Sequence, residues 1–285
     1  MPTIPLTRLA EYRRMTYRSS PDLRITTSGQ AADFVNQRNF VFLYPAQGVT
    51  LPSLWVAATG DRPVSTQHDD PGQIVWRWKD EFMDKKVWYY AKILRHRSTI
   101  LSLQVLPYFY ALSPNYGDPE SDFIVEYKQG KLPMEARLIF ETLLKEGALD
   151  ALALRKAVHL TSAESTPRFN KALEILQQSF KVLPVGIAEV GAWKYAFIYD
   201  LTHRYFPELL EQARPISENQ AFRTIITNLI NSVGVANEKD IVRLFNWRPQ
   251  DVQRAIEYLS QDGTILSEIL VEGKTGSFLA SAELA

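Results

Sequence analysis

The order helix, helix, helix, hairpin occurs twice in the C-terminal half of this 285-residue chain, and that repetition limits the fold more than any other feature. In residues 132–206, LPMEARLIFETLLKEG is amphipathic, with Leu138, Ile139, Leu143 and Leu144 on one stripe and Gly147 as C-cap. LDALALRKAV follows as a short second helix. Ser165 and Thr166 then place Pro167 at or near the first turn of a third, RFNKALEILQQSF. KVLPVGIAEV and WKYAFIYDL, turning at Gly191, complete the series as a hairpin. Residues 217–285 repeat it about 80 residues further on. There Ser217 and Gln220 form a capping box before AFRTIITNLINSVG, Asn237 caps EKDIVRLFNW, and Pro249 opens PQDVQRAIEYLSQDG. The closing hairpin, TILSEILV to SFLASAEL, turns at Gly273 and Gly276. This is the winged-helix order. The expected class is α+β, mainly helical, with tandem winged-helix units forming a concave scaffold.

The N-terminal half carries a weaker version. Residues 1–26 are rich in Pro, Ser and Arg and read as a basic arm with little core-forming pattern. Thr27 and Gln30 form a capping box that opens a helix through Asn36. Pro45 and Pro52 forbid one continuous helix in the next apolar run, so a turn and a second helix are expected there. Asp70-Pro71 leads into the helix GQIVWRWKDEFM. VWYYAKIL and STILSLQVL then form a hairpin with a cationic tip, and Pro107 starts an aromatic helix. The expected units are 27–131, which includes the candidate active-site segment, 132–210 and 211–285.

The 32 basic and 32 acidic residues cancel, which at first argues against a nucleic-acid partner. Their distribution argues otherwise. Residues 8–24 hold five arginines against Glu11 and Asp22, a local +3, and residues 77–97 hold seven basic residues against three acidic ones, a local +4. A solvated charged face explains either cluster equally well. The absence of cysteine excludes disulfides, thiolate catalysis and cysteine zinc sites, and fits a cytoplasmic setting. No window has the roughly 18 apolar residues of a membrane span, and no membrane partner is expected.

No metal or other cofactor is expected. His68, His96, His159 and His203 are scattered outside any ligand spacing, and no phosphate-binding loop, GxGxxG or GxSxG motif is present. His68-Asp69-Asp70 could offer three ligands, but an acidic turn capping a helix is the plainer reading. The strongest contact candidates are Arg95, His96 and Arg97 at the hairpin tip, cationic groups that can straddle a phosphate backbone. Arg168 and Lys171 sit near the N-terminus of the third helix in the 132–210 unit, where a helix-turn-helix meets DNA. Arg77 and Lys79 interleave with Trp76 and Trp78, a pattern suited to unstacked bases. At helical spacing the two tryptophans point about 200° apart, so one is expected in the core and one outside it. Tyr108, Phe109 and Tyr110 read as core.

LYPAQGVTLPSLWVAATGD (43–61), ILRHRSTILSLQVLPYFYAL (93–112) and the two later winged helices together resemble the AlkZ/YcaQ family of winged-helix DNA glycosylases, over roughly residues 28–285. The resemblance implies a scaffold that grips double-stranded, damaged DNA and hydrolyses the N-glycosidic bond of alkylated or crosslinked bases. It also implies a Gln-x-Gln or Gln-x-Asp motif before the helix like PSLWVAATG. Its second member falls on Gln47, the intervening residue on Ala46 and its first member on Pro45, which has no side-chain donor or acceptor. Three functions stay open on sequence: a divergent glycosylase using Gln47, a non-catalytic DNA-binding lesion sensor or regulator, and a protein-interaction scaffold.

Overall fold

The computed structural model of the chain describes residues 2–115 and 117–284. A strand β1 (Thr3–Ile4) and a helix α1 (Leu6–Tyr17) come first. One order of elements then recurs three times: helix, short strand, two helices, two strands. The first series is α2 (Ser28–Arg38), β2 (Phe40–Phe42), α3 (Leu54–Thr59), α4 (Ile74–Met83), β3 (Trp88–Lys92) and β4 (Ser98–Ser102). Helices α5 (Leu106–Ala111) and α6 (Asp122–Lys128) connect it to α7 (Met134–Glu146), β5 (Leu149–Asp150), α8 (Ala151–Ala157), α9 (Thr166–Gln178), β6 (Val182–Ala188) and β7 (Ala196–Leu201). After α10 (Thr202–Tyr205) and α11 (Leu209–Ala213) come α12 (Glu218–Val233), β8 (Val235–Ala236), α13 (Glu238–Phe245), α14 (Pro249–Gln261), β9 (Ile265–Val271) and β10 (Phe278–Ser281). In each series the last strand lies between the other two: β2-β4-β3, β5-β7-β6 and β8-β10-β9, with β1 added in parallel beside β9. Among the described residues no helix is long and apolar enough to cross a membrane.

Side-chain alternation explains how the first series is held. Phe40, Phe42, Tyr89, Ala91 and Leu101 face one way, into a core shared with α5, α12, α13 and α14. Val41, Leu43, Trp88, Tyr90 and Ile100 face the other way, onto α2, α3 and α4. The sheet is therefore buried on both faces, and its strands read as continuous apolar runs without the usual polar alternation. Aromatic edges tie it to the third series. The Phe40 ring lies 5.5 Å from Phe109 of α5 and 5.9 Å from Phe245 of α13. This packing brings the β3–β4 tip against the C-terminal end of α13.

The expectation for residues 1–26 is corrected by the structure. Ile4 and Leu9 are buried with Val235, Ile269, Val271, Phe278 and Leu284, so the start of the chain completes the core of the third series. Tyr12 donates its hydroxyl to the Asn231 carbonyl at 2.8 Å. The helix meets the end of α12 at Gly234, φ +80°, where a Cβ would fall 2.9 Å from Tyr12 and 3.1 Å from Leu9. Only Leu9 of α1 is fully buried, too narrow a stripe to register as amphipathic periodicity.

Candidate nucleic-acid interface

The β3–β4 turn is built in an unusual way. Arg95 and His96 both have positive φ, 52° and 58°, and the Arg97 amide donates to the Leu94 carbonyl at 2.9 Å. The connection runs over residues 93–97 between the paired Lys92 and Ser98, and positive φ at two successive positions favours Asn and Gly. Two bulky residues there carry roughly 1 kcal/mol or more of backbone strain each. The His96→Gly variant, which leaves the Arg95 contact to the Arg243 carbonyl in place, is accordingly expected to gain about 1 kcal/mol in urea unfolding. A variant less stable than wild type would refute the strained-turn reading.

The turn sends its two side chains to different places. Arg95 Nη1 donates to the Arg243 carbonyl at 3.3 Å, in the last turn of α13, where a cation meets the negative end of the helix dipole. It lines a recess with Gly48, Val49 and Thr50 from the loop between β2 and α3, and with Arg13, Arg243 and Lys274. His96 turns away to α9, where its Nδ1 lies 2.6 Å from Gln178 Nε2 and 3.5 Å from a Glu174 carboxylate oxygen. Arg97 is exposed.

The recess has four cations and the single carboxylate of Asp240 along its lining. Asp240 is engaged by Asn237, whose Nδ2 donates to it at 2.8 Å while its Oδ1 caps α13. Arg13 Nε donates to the Val233 carbonyl at 2.9 Å, at the end of α12. Arg243 and Lys274 are exposed. Partial burial, and then the charge of Arg13, hold the Lys274 ammonium below its ordinary range. Arg13 and Lys274 thus repel each other, and an anion placed between them would relieve that repulsion. Gln47 is exposed immediately beside Gly48 on the same loop.

On the other side of that loop, Tyr44 lines a cavity of about 670 Å³ with Trp76, Arg77, His68, Gln73, Trp193 and Tyr195. Tyr44 donates its hydroxyl to Gln73 Oε1, and Gln73 Nε2 donates to the Ser65 carbonyl, both at 2.8 Å. Burial, then the nearby Asp80, pushes the Tyr44 hydroxyl up to about 12. Trp78 is core, whereas Trp76 is half-buried at the cavity wall, in agreement with their opposed helical directions. Lys79, expected among the DNA contacts, is 0% exposed. Its ammonium is ion-paired with Asp80, donates to the Tyr195 hydroxyl at 2.8 Å and faces the Trp76 ring at 4.1 Å and the Phe197 ring at 4.5 Å. It therefore lies out of reach of a phosphate. Arg77 remains exposed on the cavity rim.

Arg168 and Lys171 do not join the recess lining. Arg168 Nη1 pairs with Glu135 at 3.2 Å, and Lys171 is exposed one turn before Glu174 on the stripe that continues to Gln178. Asp70 caps the turn before α4 by accepting from the Gly72 amide at 2.7 Å. Its hydrogen bonds from Arg62 hold its carboxyl down at about 2. The helix-capping reading of His68-Asp69-Asp70 therefore applies, and among the described residues no cluster of three or more His, Cys, Asp or Glu could hold a metal ion.

Arg13, Arg243 and Lys274 come from segments far apart in sequence, and no local pattern unites them with residue 48. Trp193 and Tyr195 carried a signal: aromatic residues at a hairpin tip, where polar ones are usual.

Among solved structures the chain is similar to the DNA glycosylase AlkZ of Streptomyces sahachiroi, with a TM-score of 0.61 at 14% sequence identity over 97% of this chain and 69% of that one. At that identity the likeness shows a common fold. No curated protein matches the chain. The AlkZ-related family matches residues 25–246, a span that takes in the Gln47 loop, the Arg95 tip and Arg243. The chain belongs to the AlkZ-related family.

Proposed function

We propose that the protein is a DNA-repair protein of the glycosylase kind, which holds damaged double-stranded DNA by its phosphates and hydrolyses the N-glycosidic bond of an alkylated or crosslinked base. The observation that carries this reading is the convergence of Arg13, Arg95, Arg243 and Lys274 on the loop that presents Gln47. In a chain of zero net charge, four cations against one carboxylate line that recess, a local excess that suits backbone binding. Each helix–strand–helix–helix–hairpin series is read as a winged helix, in units 27–131, 132–210 and 211–285, with β3–β4 as the wing nearest the recess. Gln47 orients the water: its amide oxygen accepts a hydrogen bond from the water, whose oxygen bonds to the anomeric carbon as the C1′–N bond breaks, the N-alkylated base leaving neutral and the proton passing to bulk solvent.

The test incubates the protein with duplexes carrying a panel of alkylated bases and scores abasic sites by alkaline cleavage. Base release is expected, with a fall of about 100-fold in Gln47→Ala, the scale of losing one orienting or charge-stabilising amide. Absence of release across the panel would overturn the catalytic reading. Pro45, which supplies no second amide at the family motif, favours the other reading: a non-catalytic lesion-binding protein, recognised by salt-dependent duplex binding without release.

A further inference from the structure

The aromatic cavity beyond Tyr44 has no part in the function proposed above. Its size falls in the range of small-molecule sites, roughly 300–1,000 Å³. Trp193, at the tip of the β6–β7 hairpin, is 89% exposed, an indole that leaves most of its apolar area in water unless something covers it. The facing wall is rigid. Trp76 and Tyr195 lie 5.8 Å apart, and Tyr195 accepts from Lys79 while donating to Asp80 at 2.9 Å. Rings fixed in this way lose little freedom when a ligand stacks on them.

Charge selects the ligand. An aromatic cage ordinarily suits an organic cation. Here the cation sites on Trp76 and Tyr195 are already taken from within by Lys79, at 4.1 and 5.6 Å from the two rings, and Arg77 adds a second positive charge at the rim. A planar ring bearing hydrogen-bond acceptors and a nearby phosphate fits; a quaternary ammonium does not. Tyr44 lines this cavity and Gly48 the basic recess. Four residues of chain span at most about 14 Å, or about four nucleotide steps along a strand.

We infer that this cavity receives an unstacked nucleobase of the bound DNA, sandwiched between Trp193 and the Trp76–Tyr195 wall, with Arg77 beside its phosphate. The inference rests on the DNA-binding part of the function proposed above. Extruding a base costs least where its pairing is already lost, so the site also gives the protein a preference for unpaired or adducted positions.

The experiment uses a duplex with 2-aminopurine as a single-base bulge, and the matching intact duplex. Wild type is expected to bind the bulged duplex about ten-fold more tightly, the worth of one base–aromatic stack, and to quench 2-aminopurine fluorescence as the base meets indole. Trp193→Ala should bring the bulged-to-intact ratio close to one and abolish the quenching. Retention of both in Trp193→Ala overturns the inference. If neither duplex binds, the DNA-binding reading has failed, and the cavity is judged with free 2-aminopurine riboside at millimolar concentration. Quenching by wild type and not by Trp193→Ala then supports a base site, and no quenching by wild type overturns it.

Discussion

Duplex affinity near 0.1 M salt is expected to fall about ten-fold in Arg243→Ala, about ten-fold in Lys274→Ala and by nearly 100-fold in the double variant. A cation that meets a phosphate releases about 0.9 of a condensed counterion, and near 0.1 M salt that release is worth about 1.2 kcal/mol. Arg243 and Lys274 are the appropriate pair because both are exposed at the recess, whereas Arg13 and Arg95 also hold helix-terminal carbonyls and their loss would disturb the fold. Exposed substitutions of this kind change stability by less than about 0.5 kcal/mol, so lost binding cannot be put down to unfolding. The slope of log affinity against log salt should become shallower by about two in the double variant. An affinity and slope equal to wild type would remove the recess from the DNA interface; failure of wild type itself to bind any duplex at low salt would favour the protein-scaffold reading.

The legible parts of the fold were those set by local chemistry. The Thr27–Gln30 capping box, the Gly147 C-cap and Pro249 at a helix start each solve a problem within four residues, and the expected helices begin or end there. Strand β2 did not announce itself because Phe40–Phe42 is buried on both faces, so the alternation that marks a strand is missing. Helix α1 was hidden for a different reason: its partner is the end of α12, across Gly234 and more than 200 residues away. The site divides along the same line. The tip cations stood out as a run, but the turn that separates Arg95 from His96 depends on positive φ at both residues, which Arg and His do not advertise. Lys79 misled for a related reason. One cation between two tryptophans looks alike on paper whether it faces solvent or is enclosed by rings brought from β7 and the loop before it.

The enclosure of Lys79 makes its own prediction, the largest expected for stability. Asp80→Ala would leave a buried ammonium without its counter-charge, and a loss of about 3–5 kcal/mol is expected on urea unfolding. Lys79→Met keeps the volume and removes the charge, so it should cost much less. The pH dependence identifies the cause. Burial lowers the Lys79 ammonium from its ordinary 10.5 to about 8, against the opposing pull of Asp80. Below pH 8 the lysine is charged both folded and unfolded, and the burial cost is carried in full. Between pH 8 and 10.5 the folded chain gives up a proton that the unfolded chain keeps, so stability rises with pH through that window. From pH 7 to 9.5 wild type should gain about 2 kcal/mol relative to Lys79→Met. The series stops at 9.5 because burial also raises the Tyr90 and Tyr195 hydroxyls. Above pH 10 the unfolded tyrosines ionise first, and stability falls again. A wild-type advantage independent of pH would mean that Asp80 and the surrounding rings hold Lys79 charged throughout. The wall behind the aromatic cavity would then stay cationic at every pH at which the protein is folded.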